Sequence, residues 1–248
     1  MPVRSWGVTI AARFETALAT AGAPGLEGPE LLPVRLARAC AEMLDVDAAS
    51  LSLVDSRGER VPLGGSRDDA DTAERLQFTV GDGPCMTAQE TRQPVFAVEE
   101  DLHRRWPAFA DLLVVETPFR GVVALPLQPA LAGPGAIDLF FEQPDAVTDL
   151  DVFEALAVGE LVTSALSDAS VWSTWTPAEG PAWLNGPTPQ RRAAVWEAMG
   201  KLAVDLEVGA TTALDVLRSA AYSSGRTVDD VAEDLLAGRL ELTDLRDS

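Results

Sequence analysis

The side chains that could perform nucleophilic or metal chemistry are few in this 248-residue chain. The two cysteines, Cys40 and Cys85, and the single histidine, His103, lie far apart, and no two of them fall at metal-ligand spacing. His103 is the one candidate for a general base. No G-x-S-x-G run or P-loop occurs, and no G-x-G-x-x-G motif joins a strand to a helix. We therefore expect neither catalysis nor a metal or other cofactor.

Cys85 is the residue whose position most favours reactivity. The run Gly81-Asp82-Gly83-Pro84-Cys85 predicts a turn into a helix, with Pro84 at the first helical position. Cys85 then lies in the first turn, where the helix dipole can lower a thiol pKa. Two interpretations stay open, a redox sensor and a small core residue in a tight turn.

A second candidate group surrounds the histidine. His103, Arg104 and Arg105 could meet an anionic ligand, or they could form a solvated rim. Trp106 follows them directly and fits either a hydrophobic core or a ligand cage.

Composition limits the class of protein. The chain holds 39 acidic and 19 basic residues, a net charge of −20 that repels nucleic acid in general. Hydrophobic residues make up 47% of the chain, which supports a packed core. The apolar runs are too short to span a bilayer, and residues 1–12 lack the apolar stretch of a secretory signal. We expect a cytoplasmic protein without disulfides or membrane contact.

Residues 188–248 predict three short amphipathic helices, with breaks at Gly209 and Gly225. The third helix begins at Thr227, and Asp230 follows three residues later in a capping-box pattern. Each helix has one apolar stripe, so a unit of this size needs a partner surface.

Three patterns in this unit resemble ANTAR domains, the small three-helix RNA-binding modules of bacterial antitermination regulators. The patterns are Ala198-x-Gly200-x-Leu202, Ala213-x-x-x-Leu217-Arg218-x-x-Ala221 and Gly225-Arg226-x-Val228-x-x-Val231-Ala232. The family has a basic residue between the alanine and the glycine of the first pattern, whereas here Met199 stands there and Lys201 follows the glycine. The resemblance implies phosphate contacts from arginine and lysine, close approach at the small residues, and base stacking on tyrosine. The implied RNA-binding residues are Arg191, Arg192, Ala198, Gly200, Lys201, Arg218, Tyr222 and Arg226.

Residues 29–168 predict an α+β unit, an antiparallel sheet with helices on one side. We interpret residues 59–75 as a loop and Leu76–Val80 as a short alternating strand. The central strand pair is Phe119–Leu127 and Ile137–Phe141. The other predicted elements are helices at 29–44 and 150–167 and strands at 48–54 and 94–98.

Three segments of this unit resemble GAF domains, the small-molecule-sensing fold of bacterial signalling proteins, as found before ANTAR domains in actinobacterial proteins. The segments are Gly81–Cys85, Asp101–Pro107 and Gly121–Pro126. The resemblance implies an unidentified small-molecule ligand. The candidate sensor residues are Cys85, His103, Arg105 and Trp106.

The remaining segments connect and extend these domains. Residues 1–28 contain a predicted amphipathic helix that packs on its own domain or forms a dimer contact. Residues 169–187 form a linker with tryptophans at positions 172, 175 and 183. This linker is either docked on one domain, or its docking depends on the state of the sensor.

The sequence thus predicts a GAF sensor coupled to an ANTAR module, acting as a homodimer that binds tandem stem-loop RNA and prevents a terminator from forming. Two alternatives stay open. One is a protein–protein signalling module whose degenerate ANTAR helices only dimerise, which the net charge of −20 and the shifted Lys201 favour. The other is a redox or small-molecule sensor whose output is a partner protein.

Overall fold

The computed structural model describes residues 9–55, 57–130, 133–172 and 180–241. The bounds of the α-helices and β-strands in these ranges follow the chain from α1 to α10 and from β1 to β5. The helices are Ile10–Thr20, Leu32–Leu44, Asp68–Val80, Pro84–Thr91, Glu99–Arg105, Pro107–Glu116, Val152–Trp172, Pro187–Asp205, Ala210–Ser223 and Val228–Leu236; the strands are Ala48–Val54, Arg60–Gly65, Val95–Val98, Gly121–Ala130 and Gly133–Phe141.

The five strands form one antiparallel sheet in the order β2-β1-β5-β4-β3. The long hairpin β4–β5 lies near its middle, and Val123 is paired with Leu139 across it. The predicted α+β class, the central strand pair and the strands at 48–54 and 94–98 are confirmed.

Helices cover both faces of the sheet, so the prediction of helices on one side is wrong. Leu51 and Leu139 point into a core cluster with α1, α2 and α7. Val122 and Phe140 point into a second cluster with α3, α4, α5 and α6. The apolar runs in the central strands are nearly continuous because both of their faces are buried.

Helix α3 replaces the predicted loop and strand at residues 59–80, and β2 occupies Arg60–Gly65. Leu76 and Val80 pack in the second cluster, between α3 and the sheet, whereas Phe78 packs against the C-terminal helices. A helix buried on two sides shows apolar residues at alternate positions, which mimics the pattern of a strand.

The three C-terminal helices α8, α9 and α10 pack around one apolar core. We call residues 187–236 the helical unit and residues 32–172 the sheet unit. The predicted capping box is confirmed, since the Asp230 amide donates to Thr227 Oγ1 and the Thr227 amide donates to an Asp230 carboxylate oxygen. The helical unit lies against β2 and α3, which supply the partner surface that its small core requires.

The N-terminal helix and the linker both contact the sheet unit. Phe14 and Ala17 of α1 and Trp183 of the linker are buried in the same core cluster. This agrees with a docked linker at Trp183; residues 1–8, the Trp172 side chain and Trp175 lie outside the described residues. None of the helices in the described part of the chain combines the length and apolarity needed to cross a bilayer.

Candidate functional site

Four charged residues form a continuous line of ion pairs between the sheet unit and the helical unit. Arg60 Nε of β2 donates to Glu74 Oε1 of α3 at 3.2 Å, and Arg192 Nη2 of α8 donates to Glu74 Oε2 at 3.1 Å. Arg192 Nε also donates to Asp229 Oδ1 of α10 at 3.0 Å. All four side chains are buried. We call Arg60, Glu74, Arg192 and Asp229 the buried ion-pair chain.

The buried ion-pair chain continues into a polar cluster against the sheet. Arg60 Nη1 donates to Gln89 Oε1 at 2.8 Å, and Gln89 Nε2 donates to Ser52 Oγ at 3.3 Å. Ser52 Oγ lies 3.4 Å from Cys85 Sγ. Polar side chains on the sheet surface are therefore connected to the helical unit by hydrogen bonds alone.

Gln77 joins the remaining members of this cluster. Its Nε2 donates to Asp138 Oδ2 at 2.7 Å, and its Oε1 accepts from the Cys85 amide at 3.0 Å. A Cβ on Gly83 would lie 2.4 Å from Gln77 Oε1, so the second glycine of the glycine-rich run makes room for this side chain. Gly81 ends α3 at a φ of 76°, a backbone conformation that favours glycine.

The thiol of Cys85 is fully buried. It lies in the first turn of α4 as predicted, but burial raises its pKa to about 12, a change that nearby Arg60 opposes. Of the two interpretations that the sequence left open, this supports a small core residue in a tight turn, because loss of hydration outweighs the helix dipole at a fully buried position.

We expect both thiols to resist alkylation and disulfide exchange in the folded chain. Burial raises the pKa of Cys40 to about 12 as well, so both sulfurs stay protonated at pH 8. Reaction with a disulfide reagent should be at least about 100-fold slower in native than in unfolded protein. Rapid labelling of Cys85 with Cys40 still protected would contradict this and restore the redox-sensor alternative.

Asp138 makes the stability of the chain pH-dependent. Burial raises its pKa to about 6, against the opposing effects of Arg60 and the Gln77 hydrogen bond. An unfolded aspartate releases its proton near pH 4, so between about pH 4 and 6 the folded chain holds more protons than the unfolded chain. The Asp138 contribution to the free energy of unfolding therefore falls as pH rises through this window.

Asp138→Asn is expected to increase the free energy of unfolding by roughly 1–3 kcal/mol at pH 7, and to have little effect below about pH 4. The asparagine still offers an oxygen to Gln77. Denaturant titrations at several pH values measure the difference, with exposed Asp111→Asn as the matched control. A variant less stable than the parent at pH 7 would contradict the prediction.

Three of the predicted RNA-binding residues point inward. Arg192 and Ala198 are buried, and Arg218 is largely covered where its Nε donates to the Phe78 carbonyl at 3.1 Å. The alanine packs in the core of the helical unit.

The other five predicted RNA-binding residues reach the surface to different degrees. Gly200 is exposed and has open space around it, and Tyr222 is 50% exposed. Lys201 Nζ pairs with Asp205 at 2.6 Å. Arg191 and Arg226 pair with carboxylates on α10. The eight residues thus form no single surface in this arrangement.

The candidate group on α5 lies apart from Cys85. His103 is exposed and its Nδ1 lies 2.9 Å from the Glu99 carbonyl oxygen. The Arg105 guanidinium lies 4.0 Å from the centroid of the Trp106 ring, which is buried in the core cluster formed by α3 to α6 and the sheet. Among the described residues, no hydrogen bond joins this group to the polar cluster. Trp106 is a core residue here.

Sequence reasoning missed most of this site. Glu74, Gln77 and Phe78 fell in segments that were predicted as loop and strand. Asp138 offered a signal, since it is a lone carboxylate within the apolar strand β5. In the described ranges, no group of three or more His, Cys, Asp or Glu side chains is arranged to hold a metal ion.

No family model and no curated protein matches this sequence. Among solved structures, the chain is similar to the GAF domain of an Acinetobacter phosphoenolpyruvate-protein phosphotransferase, at a TM-score of 0.42 and 10% identity over 66% of this chain and 96% of that one. The corresponding Coxiella burnetii domain has a TM-score of 0.42 and 17% identity, over 66% and 98%. The N-acylhomoserine lactone dependent LuxR family factor CepR2 from Burkholderia cenocepacia has a TM-score of 0.45 and 14% identity, over 64% and 93%. The functional interpretation therefore rests on the contacts within this chain.

Proposed function

We propose that this chain is a non-enzymatic, signal-responsive regulator, in which the sheet unit is a GAF-type sensor and the helical unit is an ANTAR-type RNA-binding output. The observation that carries the proposal is the buried ion-pair chain. Its charges are excluded from water, so each of them depends on its protein partners. A change of packing around the polar cluster would move Arg60, change the pairing of Glu74, and hence change the pairing of Arg192.

The proposed target is a tandem stem-loop RNA whose binding prevents a terminator from forming. Lys201 would contact a phosphate next to the open space at Gly200, and Tyr222 would stack on an unpaired base. Arg191 and Arg226 would exchange the carboxylates of α10 for phosphates.

We propose a homodimer that presents two such units. An apolar groove between α1 and α7 supports the homodimer, since Ile10 and Leu156 are partly exposed there. Phe153, on the same helix as Leu156, is 86% exposed. A second copy would cover this surface by two-fold pairing of α1 and α7. Sedimentation velocity of the full chain tests the pairing, and a monomer at every concentration would contradict it.

The test of RNA binding uses the full chain and a labelled pool of tandem RNA hairpins with randomised loops. Duplex DNA of equal length is the competitor, and fluorescence anisotropy is measured at two salt concentrations. We expect selective RNA binding that weakens with salt and weakens further in a Lys201→Ala, Tyr222→Ala double variant. Exposed Arg57→Ala, in the turn between β1 and β2, is the control for a lost surface charge. Equal affinity for RNA and DNA would contradict the proposal, and so would the absence of binding by the parent and by every variant described below.

A protein–protein signalling module is the second candidate function. The net charge of −20 and the pairing of Arg191, Lys201 and Arg226 with carboxylates of the same unit favour it. The same titration separates the two candidates, since this module would not prefer RNA over DNA.

A further inference from the structure

The ring of Phe78 fills a pocket that belongs to the helical unit. Phe78 is part of α3, yet it packs in the core cluster of α8, α9 and α10. The guanidinium carbons of Arg192 and Arg218 lie 3.6 and 5.1 Å from its ring centroid. The Trp196 ring meets it edge-on, with centroids 5.5 Å apart. Two cations and an indole thus surround one flat ring, an arrangement that recognises a π-face.

Two of the side chains around Phe78 carry hydrogen-bond donors that have no acceptor in the part of the chain that the structure describes. Arg192 Nη1 and Trp196 Nε1 are buried and lack a partner among the described residues. Buried donors in proteins are nearly always paired, and the phenyl ring of Phe78 offers only its π-face, which is a weak acceptor. A nucleobase offers the same flat face together with nitrogen and oxygen acceptors on its edge.

Helix α3 carries a carboxylate as well as the Phe78 ring. Glu74 lies four residues before Phe78, one helical turn away on α3, and accepts from Arg192 Nη2 at 3.1 Å. Guanidinium groups bind carboxylate and phosphate with the same fork geometry. Helix α3 therefore presents a flat ring and an oxyanion together, which are the two parts of a nucleotide that such a pocket would recognise.

A carboxylate of the helical unit itself holds the Arg192 guanidinium in place. Asp229 accepts from Arg192 Nε at 3.0 Å, so the guanidinium has a partner that does not depend on α3. Burial lowers the pKa of Arg218, Asp215 partly offsets this, and the nearby charge of Arg192 lowers it further. A phosphate placed between the two guanidiniums would relieve their mutual repulsion.

We propose that the pocket lined by Arg192, Trp196 and Arg218 is a binding site for an unpaired nucleotide of RNA, and that Phe78 and Glu74 of α3 occupy it as an internal mimic. This inference rests on the proposed RNA-binding function. RNA would reach the pocket only when α3 has moved away from the helical unit. Docking of the helical unit and binding of RNA at this pocket then exclude each other.

The test measures the affinity of the full chain for tandem RNA hairpins selected from the randomised-loop pool. Phe78→Ser is expected to raise the affinity about tenfold or more, because it removes the competing ring and increases the open population. Phe96→Ser, on edge strand β3, is the matched control and should leave the affinity unchanged. Adding Trp196→Phe to Phe78→Ser retains an aromatic ring but removes the indole donor, and should reverse much of the gain and relax the base preference in the loop.

Because Phe78 is buried, the fold of Phe78→Ser is checked and a milder variant is also tested. Phe78 belongs to neither core cluster of the sheet unit, so Phe78→Ser leaves both of those clusters complete, and circular dichroism checks the fold. Thr79→Val keeps the ring in place but removes the acceptor for the Val228 amide, and should raise RNA affinity by a few fold.

Each outcome decides between the two proposals. RNA binding that is equal in the parent, Phe78→Ser and Thr79→Val would overturn the nucleotide pocket and leave the proposed function standing. A gain in Phe78→Ser that survives Trp196→Phe undiminished, with the same base preference, would also overturn the pocket, since release of the helical unit would explain it. Absence of RNA binding by every variant would overturn the proposed function, and this inference with it.

Discussion

Arg192→Ala is expected to lower the free energy of unfolding by about 3–5 kcal/mol, because it removes the cation that the buried carboxylates of Glu74 and Asp229 share. Glu74 would keep only Arg60, and Asp229 would lose both of its bonds to the guanidinium. The substitution also removes the cation that lies 3.6 Å from the Phe78 ring centroid. Chemical denaturation followed by circular dichroism measures the loss.

The neighbouring arginine is the matched control for this substitution. Arg191 has the same chemistry and pairs with Asp230 and Glu233, but all three side chains are partly exposed. Arg191→Ala should therefore cost no more than about 1 kcal/mol. Equal losses for the two arginine variants would contradict the assignment of Arg192 to a buried ion-pair chain.

Glu74→Gln is expected to lower the free energy of unfolding by about 2–4 kcal/mol, since it leaves Arg60 and Arg192 facing a neutral amide. The amide oxygen can still accept one hydrogen bond, which keeps the expected loss below that of Arg192→Ala. Glu90→Gln, an exposed position on α4, should change the stability little.

The double variant Glu74→Gln, Arg192→Ala measures whether the two units are energetically coupled. We expect its loss to be smaller than the sum of the single losses by at least about 1 kcal/mol, since both substitutions remove the same contact between the units. Additive losses would mean that Glu74 and Arg192 act separately, and that the helical unit does not sense the state of Arg60.

Local sequence patterns predicted the elements whose signals lie within a few consecutive residues. The apolar strands, the capping box at Thr227 and the helix after Pro84 each carry a signal within a few residues, and all three are confirmed. Helix α3 failed for a physical reason. It is buried against the sheet on one side and the helical unit on the other, so Leu76, Phe78 and Val80 alternate as they would in a strand.

The candidate site could not be assembled from the sequence, because its contacts are long-range. Glu74 and Arg192 are separated by 118 residues. Arg191 and Arg192 are adjacent and chemically identical, yet one is partly exposed and the other fully buried. Both were predicted to contact RNA phosphates on type alone, and only the packing of α8 on α3 distinguishes them.

Hydrogen exchange at the Val228 amide tests the central claim most directly. This amide stands at the first position of α10, where no intrahelical acceptor exists, and it donates to Thr79 Oγ1 of α3 at 3.0 Å. Its protection therefore reports the docking of the helical unit on the sheet unit. If docking and RNA binding exclude each other, a saturating tandem-hairpin RNA must weaken docking, and the Val228 amide should exchange faster in the complex. Exchange that stays as slow, or becomes slower, with RNA bound would contradict the account.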